Sequence, residues 1–136
     1  MADSLQLEMV TPYKKVLSTE VDELTVPGFT GELGILPGHT PLLTTLRVGE
    51  LSYKQGGSTY HVAVNWGYLE IEEDRATVLV DTAEEADEID LARAKAALGR
   101  AEEALKKLSA EDKQYRIMEA ALQRALIRIQ VASKGH

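Results

Sequence analysis

The composition of the chain changes across the stretch Thr82-Ala83-Glu84-Glu85-Ala86-Asp87-Glu88. Residues 1–82 contain three alanines, whereas residues 83–136 contain thirteen. All four prolines and eight of the ten glycines come before Ala83. Glycine and proline interrupt regular structure between short strands, and alanine is the strongest helix former. The sequence therefore predicts a β domain over residues 1–83 and a helical domain over residues 84–136.

Upstream of this boundary, short runs of alternating apolar and polar residues are separated by turn residues. Residues 5–9 alternate between apolar and polar, and residues 49–54 run into a glycine-rich turn. Residues 67–71 and 76–80 flank an acidic turn, which is typical of a β-hairpin. Many short strands with a turn every 8–12 residues indicate a sandwich or a barrel. We take the antiparallel β-sandwich as the expected architecture.

Downstream of the boundary, two stripes of apolar and small residues predict two helices. Asp87 is the expected N-cap of the first helix, and the Ser109-x-x-Asp112 spacing is a start signal for the second. The stripes are Leu91, Ala94, Leu98, Ala101, Leu105 and Leu108, then Tyr115, Met118, Leu122, Ala125 and Ile129. The short break between them favours an antiparallel hairpin, so the fold class is α+β with segregated parts. Alanine contacts bury little apolar area, which predicts a weakly packed hairpin.

Composition excludes several function classes. The net charge is −7, and all of it arises in residues 1–82, so general nucleic-acid binding is not expected. The absence of cysteine excludes disulfides, thiol catalysis and cysteine-based zinc sites. The three histidines are isolated, so no metal site is expected, and His61 is interpreted as structural. No apolar run spans a bilayer and residues 1–4 do not resemble a signal peptide, so a cytoplasmic protein is expected.

No catalytic motif is present either, because no phosphate-binding loop follows the glycines at positions 31 and 34. That region is nevertheless distinctive. It contains Gly31-Glu32-Leu33-Gly34-Ile35-Leu36-Pro37-Gly38-His39-Thr40-Pro41-Leu42-Leu43, two turns around an apolar plug followed by a strand. The segment closely resembles the signature of the epsilon subunit family of F-type ATP synthases, whose mitochondrial counterpart is called delta. The resemblance extends over the whole chain, as a β-sandwich followed by a helical hairpin.

The resemblance implies a non-catalytic rotor subunit of a proton- or sodium-translocating ATP synthase. In this family the sandwich binds the gamma subunit and rests on the membrane c-ring, which implies a peripheral position on the cytoplasmic face of the bacterial cell membrane. The segment that carries Glu32 and His39 is similar to the region that meets the ring and its neighbours. The alternative is that Glu32 is a solvated turn residue and that His39 only stabilises the turn.

For the hairpin, the resemblance implies a regulatory role. It packs on the sandwich in one state and extends into the alpha/beta catalytic head in the other, where it impedes ATP hydrolysis. Weak alanine packing agrees with such an element, because a two-state switch needs a gap of only a few kcal/mol.

A second motif concerns a ligand. Residues 89–94 are similar to the Ile/Leu-Asp-x-x-Arg-Ala pattern found where bacterial epsilon subunits bind ATP. No cofactor is required, but the resemblance implies ATP as a regulatory ligand held by Glu84, Ile89, Asp90, Arg93, Ala94, Arg100, Arg124 and Arg128. Several guanidinium groups that converge in the hairpin suit a triphosphate. The alternative is that Asp90 and Arg93 form an ordinary helix pair.

Two other functions remain to be weighed against a rotor subunit. The chain can be a free-standing ATP-sensing module without a rotary partner, which copurification with a gamma-type partner tests. It can also be a nucleotide-hydrolysing enzyme, but the absence of a phosphate loop, a metal site and a positioned base argues against that.

Overall fold

The computed structural model describes residues 4–134, so the expectations about residues 1–3 and His136 concern positions outside the described residues. Eight strands precede a short 3₁₀ turn and two helices. The strands are β1 (Leu5–Val10), β2 (Lys15–Val21), β3 (Glu23–Gly28), β4 (Gly31–Ile35), β5 (Leu42–Leu46), β6 (Gly49–Gln55), β7 (Ser58–Glu72) and β8 (Arg75–Glu85). The 3₁₀ turn is Ala86–Glu88, and the helices are α1 (Leu91–Lys106) and α2 (Lys113–Lys134). The prediction of a β-sandwich followed by two helices is confirmed.

The long β7–β8 hairpin organises the sandwich. On one side of β7, β6 pairs with its first half and β5 with its second half, so the partner strand changes near Trp66. Trp66 has a φ of 41°, and a Cβ on Gly67 would lie 1.9 Å from the carbonyl oxygen of Leu79. Only glycine permits this close approach of β8 to β7. The strands β7, β5, β3 and β6 pair in a closed circuit, which folds the sheet onto itself around one core.

One strand pair differs from the antiparallel arrangement that the alternating sequence predicts. β1 is antiparallel to β2 but parallel to β8, with Gln6 opposite Arg75. Alternation along a strand specifies which face is buried but carries no information about the direction of its neighbour. The other strand pairs are antiparallel.

Alternation does predict the core. Along β1, Leu5, Leu7 and Met9 are fully buried, and the residues between them are partly exposed. The same alternation in β3 buries Leu24 and Val26. Among the described residues, the buried positions are all apolar. The sandwich therefore has a core of its own that does not depend on the helices.

The first helix starts later than the sequence predicts. Its N-cap is Asp90, whose Oδ1 accepts a hydrogen bond from the backbone N–H of Arg93 over 3.1 Å, and the predicted cap Asp87 is wrong. Asp87 lies instead in the 3₁₀ turn. The cause is Ile89, which is buried in an apolar cluster in extended conformation and so keeps the chain from turning helical sooner. Asp112 accepts from the N–H of Gln114 and precedes the first residue of α2, so the helix begins at Lys113 and not directly after Ser109, where the start signal predicts it.

The two helices pack as a hairpin through small side chains. Ala94 and Ala101 on α1 and Ala125 on α2 are buried, whereas the leucines of the α1 stripe are only partly buried. The hairpin meets the sandwich mainly at the end of α2. There Val131 and Ala132 are fully buried in a small cluster with Ala63, Ala86 and Ile89. None of the helices within residues 4–134 combines the length and apolar character needed to cross a bilayer.

Candidate functional site

A cleft of about 470 Å³ lies where the turn between β1 and β2, the end of β8 and both helices meet. We call it the hairpin cleft. Its lining residues are Thr11, Tyr13, Lys14, Val16, Asp81, Thr82, Ala83, Glu84, Ala97, Ala121, Arg124, Ala125 and Arg128. Its lining combines small side chains from the helices with charged side chains. Both the sandwich and the hairpin therefore contribute to one concave surface.

Three of the eight residues predicted to bind ATP lie in this cleft, namely Glu84, Arg124 and Arg128. Arg128 is held by Glu84 in a two-point ion pair, with Nε 2.7 Å from Oε1 and a terminal nitrogen 3.2 Å from Oε2. Both side chains are about one-third exposed. Such a forked pair fixes the guanidinium more firmly than a single contact does. It joins α2 to the end of β8.

Arg124 lies one helical turn before Arg128 on the same face of α2. Within residues 4–134 it forms no ion pair, so its charge is not committed to a protein carboxylate. Lys14 on the opposite wall is likewise without an ion-pair partner in that range. The cleft thus has two cations available to an anionic ligand.

The arginines of α1 lie beside the cleft rather than in it. Arg93 and Arg100 are exposed, and neither belongs to the set of described residues that line the cleft. Ala97 does line it, and the spacing of four and three residues places Arg93 and Arg100 on the same helix face as Ala97. Asp90 is exposed and caps α1 through Arg93. The structure therefore brings two of the four arginines together in the cleft and leaves the other two outside its lining, and Arg100 lines a separate depression with Gly99 and Glu103.

The two apolar residues of the predicted ATP site are packed in the interior. Ile89 belongs to the small cluster between the sandwich and the end of α2. Ala94 is fully buried on α1. Their side chains position the start of α1 and keep it close to its neighbours.

Glu32 and His39, the residues predicted to contact the ring, lie in and after β4. Glu32 is exposed and pairs in register with Pro27 of β3. The backbone N–H of His39 donates to the carbonyl oxygen of Leu36 over 3.1 Å, which closes the turn after β4. The neighbouring N–H of Gly38 donates to Oδ1 of Asp74 over 2.6 Å. These bonds tie the turn of His39 to the β7–β8 turn.

Two family models together match nearly the whole chain. The ATP synthase delta/epsilon chain β-sandwich domain matches residues 4–86, and the long α-helix domain of the same chain matches residues 87–133. The chain belongs to the ATP synthase delta/epsilon family.

Similar curated proteins lead to the same family. The ATP synthase epsilon chains of Geobacter sulfurreducens and Geotalea uraniireducens are 67% and 68% identical to this chain. The epsilon chain 2 of Syntrophotalea carbinolica is 64% identical. Each match covers 99% of this chain and 98% of the relative. The resemblance seen in residues 31–43 is thereby confirmed, and the delta/epsilon chain is a non-catalytic subunit.

Two solved assemblies contain chains with a similar fold. A chain of the Euglena gracilis mitochondrial ATP synthase, in a structure of OSCP, F1 and c-ring, has a TM-score of 0.82 at 22% identity. The match covers all of this chain and 84% of that one. A chain of the Tetrahymena thermophila enzyme, in a structure of the central stalk and c-ring, has a TM-score of 0.57 at 13% identity. That match covers 96% of this chain and 95% of that one.

A second polar site in this delta/epsilon chain was not predicted from sequence. Glu50 on β6 accepts hydrogen bonds from Nζ of Lys134 at 2.9 Å and from Nε2 of Gln130 at 3.1 Å. Nδ1 of His61 on β7 lies 3.1 Å from the same carboxylate. Burial raises the pKa of Glu50, but the hydrogen bonds from Lys134, Gln130 and His61 more than offset this and hold the pKa below its ordinary value. We call these four residues the Glu50 clamp.

No sequence signal within either element predicts the Glu50 clamp, because Glu50 and Lys134 are 84 positions apart. Lys14 and Tyr13 of the hairpin cleft were missed for the same reason. Both precede the helices by more than 70 positions and stand in a turn without a motif. Only the docking of α2 on the sandwich brings these residues together.

Proposed function

We propose that this chain is a rotor subunit of a bacterial F-type ATP synthase, on the cytoplasmic face of the membrane. Its sandwich joins the gamma subunit to the c-ring. Its hairpin restrains ATP hydrolysis when it leaves the sandwich and enters the alpha/beta catalytic head. ATP bound to the docked hairpin is the regulatory ligand that opposes this release.

An exposed apolar surface supports partner binding by the sandwich. Tyr68 on β7 and Leu79 on β8 are directly opposite in register, and their exposed fractions are 55% and 49%. Trp66 is 48% exposed, and the three side chains line a common depression of about 360 Å³. Contiguous apolar surface of this kind on a soluble domain marks an interaction site. Chains of similar fold occur in two assemblies that contain a c-ring, one of them described as a central stalk with its c-ring, which agrees with a rotor position.

The observation that carries the regulatory role is the limited attachment of the hairpin. The sandwich has its own core of strand residues, and the hairpin adds only the small cluster around Val131 and Ala132. Among residues 4–134, the polar attachments are the Glu84–Arg128 pair and the Glu50 clamp, both partly solvated. Polar contacts that water can replace contribute little, so a hairpin held this way can leave without unfolding the sandwich.

The hairpin cleft supports ATP as the ligand. Arg124 is free to bind phosphate, and Arg128 stands one turn away in the same cleft. Arginine forms two-point contacts with phosphate, so two guanidinium groups at this spacing suit a polyphosphate chain. Because the cleft lies between the sandwich and the hairpin, a ligand bound there stabilises the docked arrangement by mass action.

Truncation after Leu108 tests the proposal. The variant lacks α2 and with it the Glu50 clamp, but it keeps the core of the sandwich. We expect the truncated chain to copurify with the gamma subunit as the full chain does, and the assembled complex to hydrolyse ATP faster. Hydrolysis at the rate of the full complex would overturn the inhibitory role. Loss of copurification for both chains would overturn the rotor role and favour a free-standing ATP-sensing module.

A further inference from the structure

The turn between β1 and β2 forms the sandwich wall of the hairpin cleft. Thr11, Tyr13 and Lys14 line that wall. The backbone N–H of Thr11 donates to the carbonyl oxygen of Lys14 over 2.9 Å. The hydroxyl of Thr11 accepts from the backbone N–H groups of Tyr13 and Lys14, each at 3.3 Å. This turn, residues 11–14, therefore has a defined backbone that presents two side chains at the cleft.

Lys14 decides the charge of the cleft. The lining contributed by β8 and α2 contains Arg124 and Arg128 but also Asp81 and Glu84, so its formal charge is zero. Glu84 already neutralises Arg128 through their ion pair. The side chain of Lys14 makes the cleft as a whole positive. The sandwich thus supplies the cation that gives the cleft the net positive charge that attracts a polyphosphate.

Tyr13 adds a surface for an aromatic group. Its side chain is 89% exposed, although it lies beside the cations of the cleft. Any nucleobase can stack on an exposed aromatic ring, because every base has a flat π-face. A ring on a hydrogen-bonded turn loses little conformational freedom when a base stacks on it. Cations beside a free aromatic ring match a ligand that has both phosphates and a base.

We infer that the 11–14 turn is the second half of the nucleotide site, in which Lys14 binds a phosphate group and Tyr13 stacks on the base. The inference rests on the proposed function of the cleft and names residues of the sandwich as ligand-binding residues. A nucleotide bound this way contacts the sandwich and the hairpin at once. Its binding energy then acts directly to keep the hairpin docked.

Calorimetric titration of the full chain with ATP and with inorganic tripolyphosphate tests the inference. Lys14→Ala removes one charge-assisted contact and is expected to weaken binding of both ligands about fivefold to tenfold. Lys15→Ala is the matched control, because Lys15 is the next residue, is also exposed and does not line the cleft. Tyr13→Ala is expected to weaken ATP binding but to leave tripolyphosphate binding unchanged. Lys14→Arg is expected to restore binding.

The outcomes distinguish a failure of the inference about the 11–14 turn from a failure of the proposal that the cleft binds ATP. If the unmodified chain binds ATP and Lys14→Ala binds it as tightly as Lys15→Ala does, the inference is wrong and the nucleotide site belongs to the hairpin alone. If the unmodified chain binds neither ATP nor tripolyphosphate, the proposal that ATP is the regulatory ligand of the docked hairpin is wrong as well. Equal circular dichroism spectra of the variants exclude misfolding as the cause of weaker binding.

Discussion

Glu84 gives Arg124 and Arg128, the two arginines of α2 that line the hairpin cleft, different roles. The guanidinium of Arg128 is already bonded at two points to Glu84, so a phosphate group must share it or displace a carboxylate. Arg124 has no ion-pair partner within the described residues and faces the same cleft. Displacing the carboxylate of Glu84 from Arg128 offsets part of the free energy that the new contact with phosphate supplies. Arg128 therefore serves mainly to fix α2 to β8, and Arg124 is the better phosphate ligand.

Arg124→Ala is expected to weaken ATP binding about tenfold, which is the usual effect of removing one charge-assisted hydrogen bond. Arg116→Ala is the control, because Arg116 is exposed on the same helix and does not line the cleft. Arg93→Ala is expected to weaken binding less than Arg124→Ala, since Arg93 is exposed and does not line the cleft. Isothermal titration calorimetry measures all three affinities. Equal affinities for Arg124→Ala and Arg116→Ala would contradict a role for Arg124.

The helices of the hairpin depend on propensity and capping more than on apolar packing. Their buried contacts are made by alanines such as Ala94, Ala101 and Ala125, and each buries little area. Asp90 caps α1, and the backbone N–H of Lys107 closes its other end by donating to Ala104 and Leu105. Local propensity and capping do not depend on the sandwich, so they continue to favour the helical state when the hairpin leaves that surface. The hairpin can therefore move as two preformed helices.

Gly99 is the weak point of α1. It lies inside the helix, and a Cβ built there would meet no other described atom within 4 Å. Gly99→Ala is therefore expected to stabilise the chain by about 0.5–1 kcal/mol through the lower entropy of the unfolded state. Ala96→Gly, at an exposed position of the same helix, is expected to destabilise it by about the same amount. Urea unfolding measures both, and a destabilising Gly99→Ala would mean that α1 needs a bend at this position.

The attachment of the hairpin to the sandwich combines one apolar cluster with two polar contacts. Val131 and Ala132 supply the apolar part, the Glu84–Arg128 pair joins the middle of α2 to β8, and the Glu50 clamp joins its end to β6 and β7. Each of these contacts involves few residues compared with the core of the sandwich. Separation of the two parts therefore requires less energy than unfolding of the sandwich.

Glu50→Gln tests how much the Glu50 clamp contributes. The change keeps the size of the side chain but removes the charge that Lys134 and Gln130 bind, so docking of α2 should weaken by about 1–2 kcal/mol. Glu23→Gln is the control, because Glu23 pairs with Lys54 at an exposed site where the expected cost is about 0–0.5 kcal/mol. Hydrogen exchange of the last turns of α2 measures the difference. Equal exchange rates in the two variants would contradict the clamp.

The Glu50 clamp also gives docking a dependence on pH. The folded state lowers the pKa of Glu50, so its contribution is present above the ordinary value of 4.5 and is lost as the pH falls through the lower folded pKa. The titratable groups that face this carboxylate are His61 from β7 and Lys134 from α2. Acid should therefore increase exchange in α2 more in the unmodified chain than in Glu50→Gln.

Local signals explain what could be predicted. Alternation located the buried faces of the strands, and the Ser109-x-x-Asp112 spacing indicated the start of α2 to within a few residues. The cap of α1 was predicted at Asp87 and occurs at Asp90, because a contact between Ile89 and the distant end of α2 holds the chain extended. Capping residues indicate where a helix can start. When several candidate caps lie only a few positions apart, tertiary packing determines which of them is used.

By itself, the sequence determined the division into sandwich and hairpin and the family, because strand alternation, helix propensity and short motifs involve neighbours along the chain. The tertiary structure alone decided the parallel pairing of β1 with β8, the placement of Lys14 and Arg124 around one cleft, and the bond from Lys134 to Glu50. These arrangements involve residues far apart in the sequence. Their geometry depends on how whole elements pack, and a one-dimensional pattern does not encode that packing.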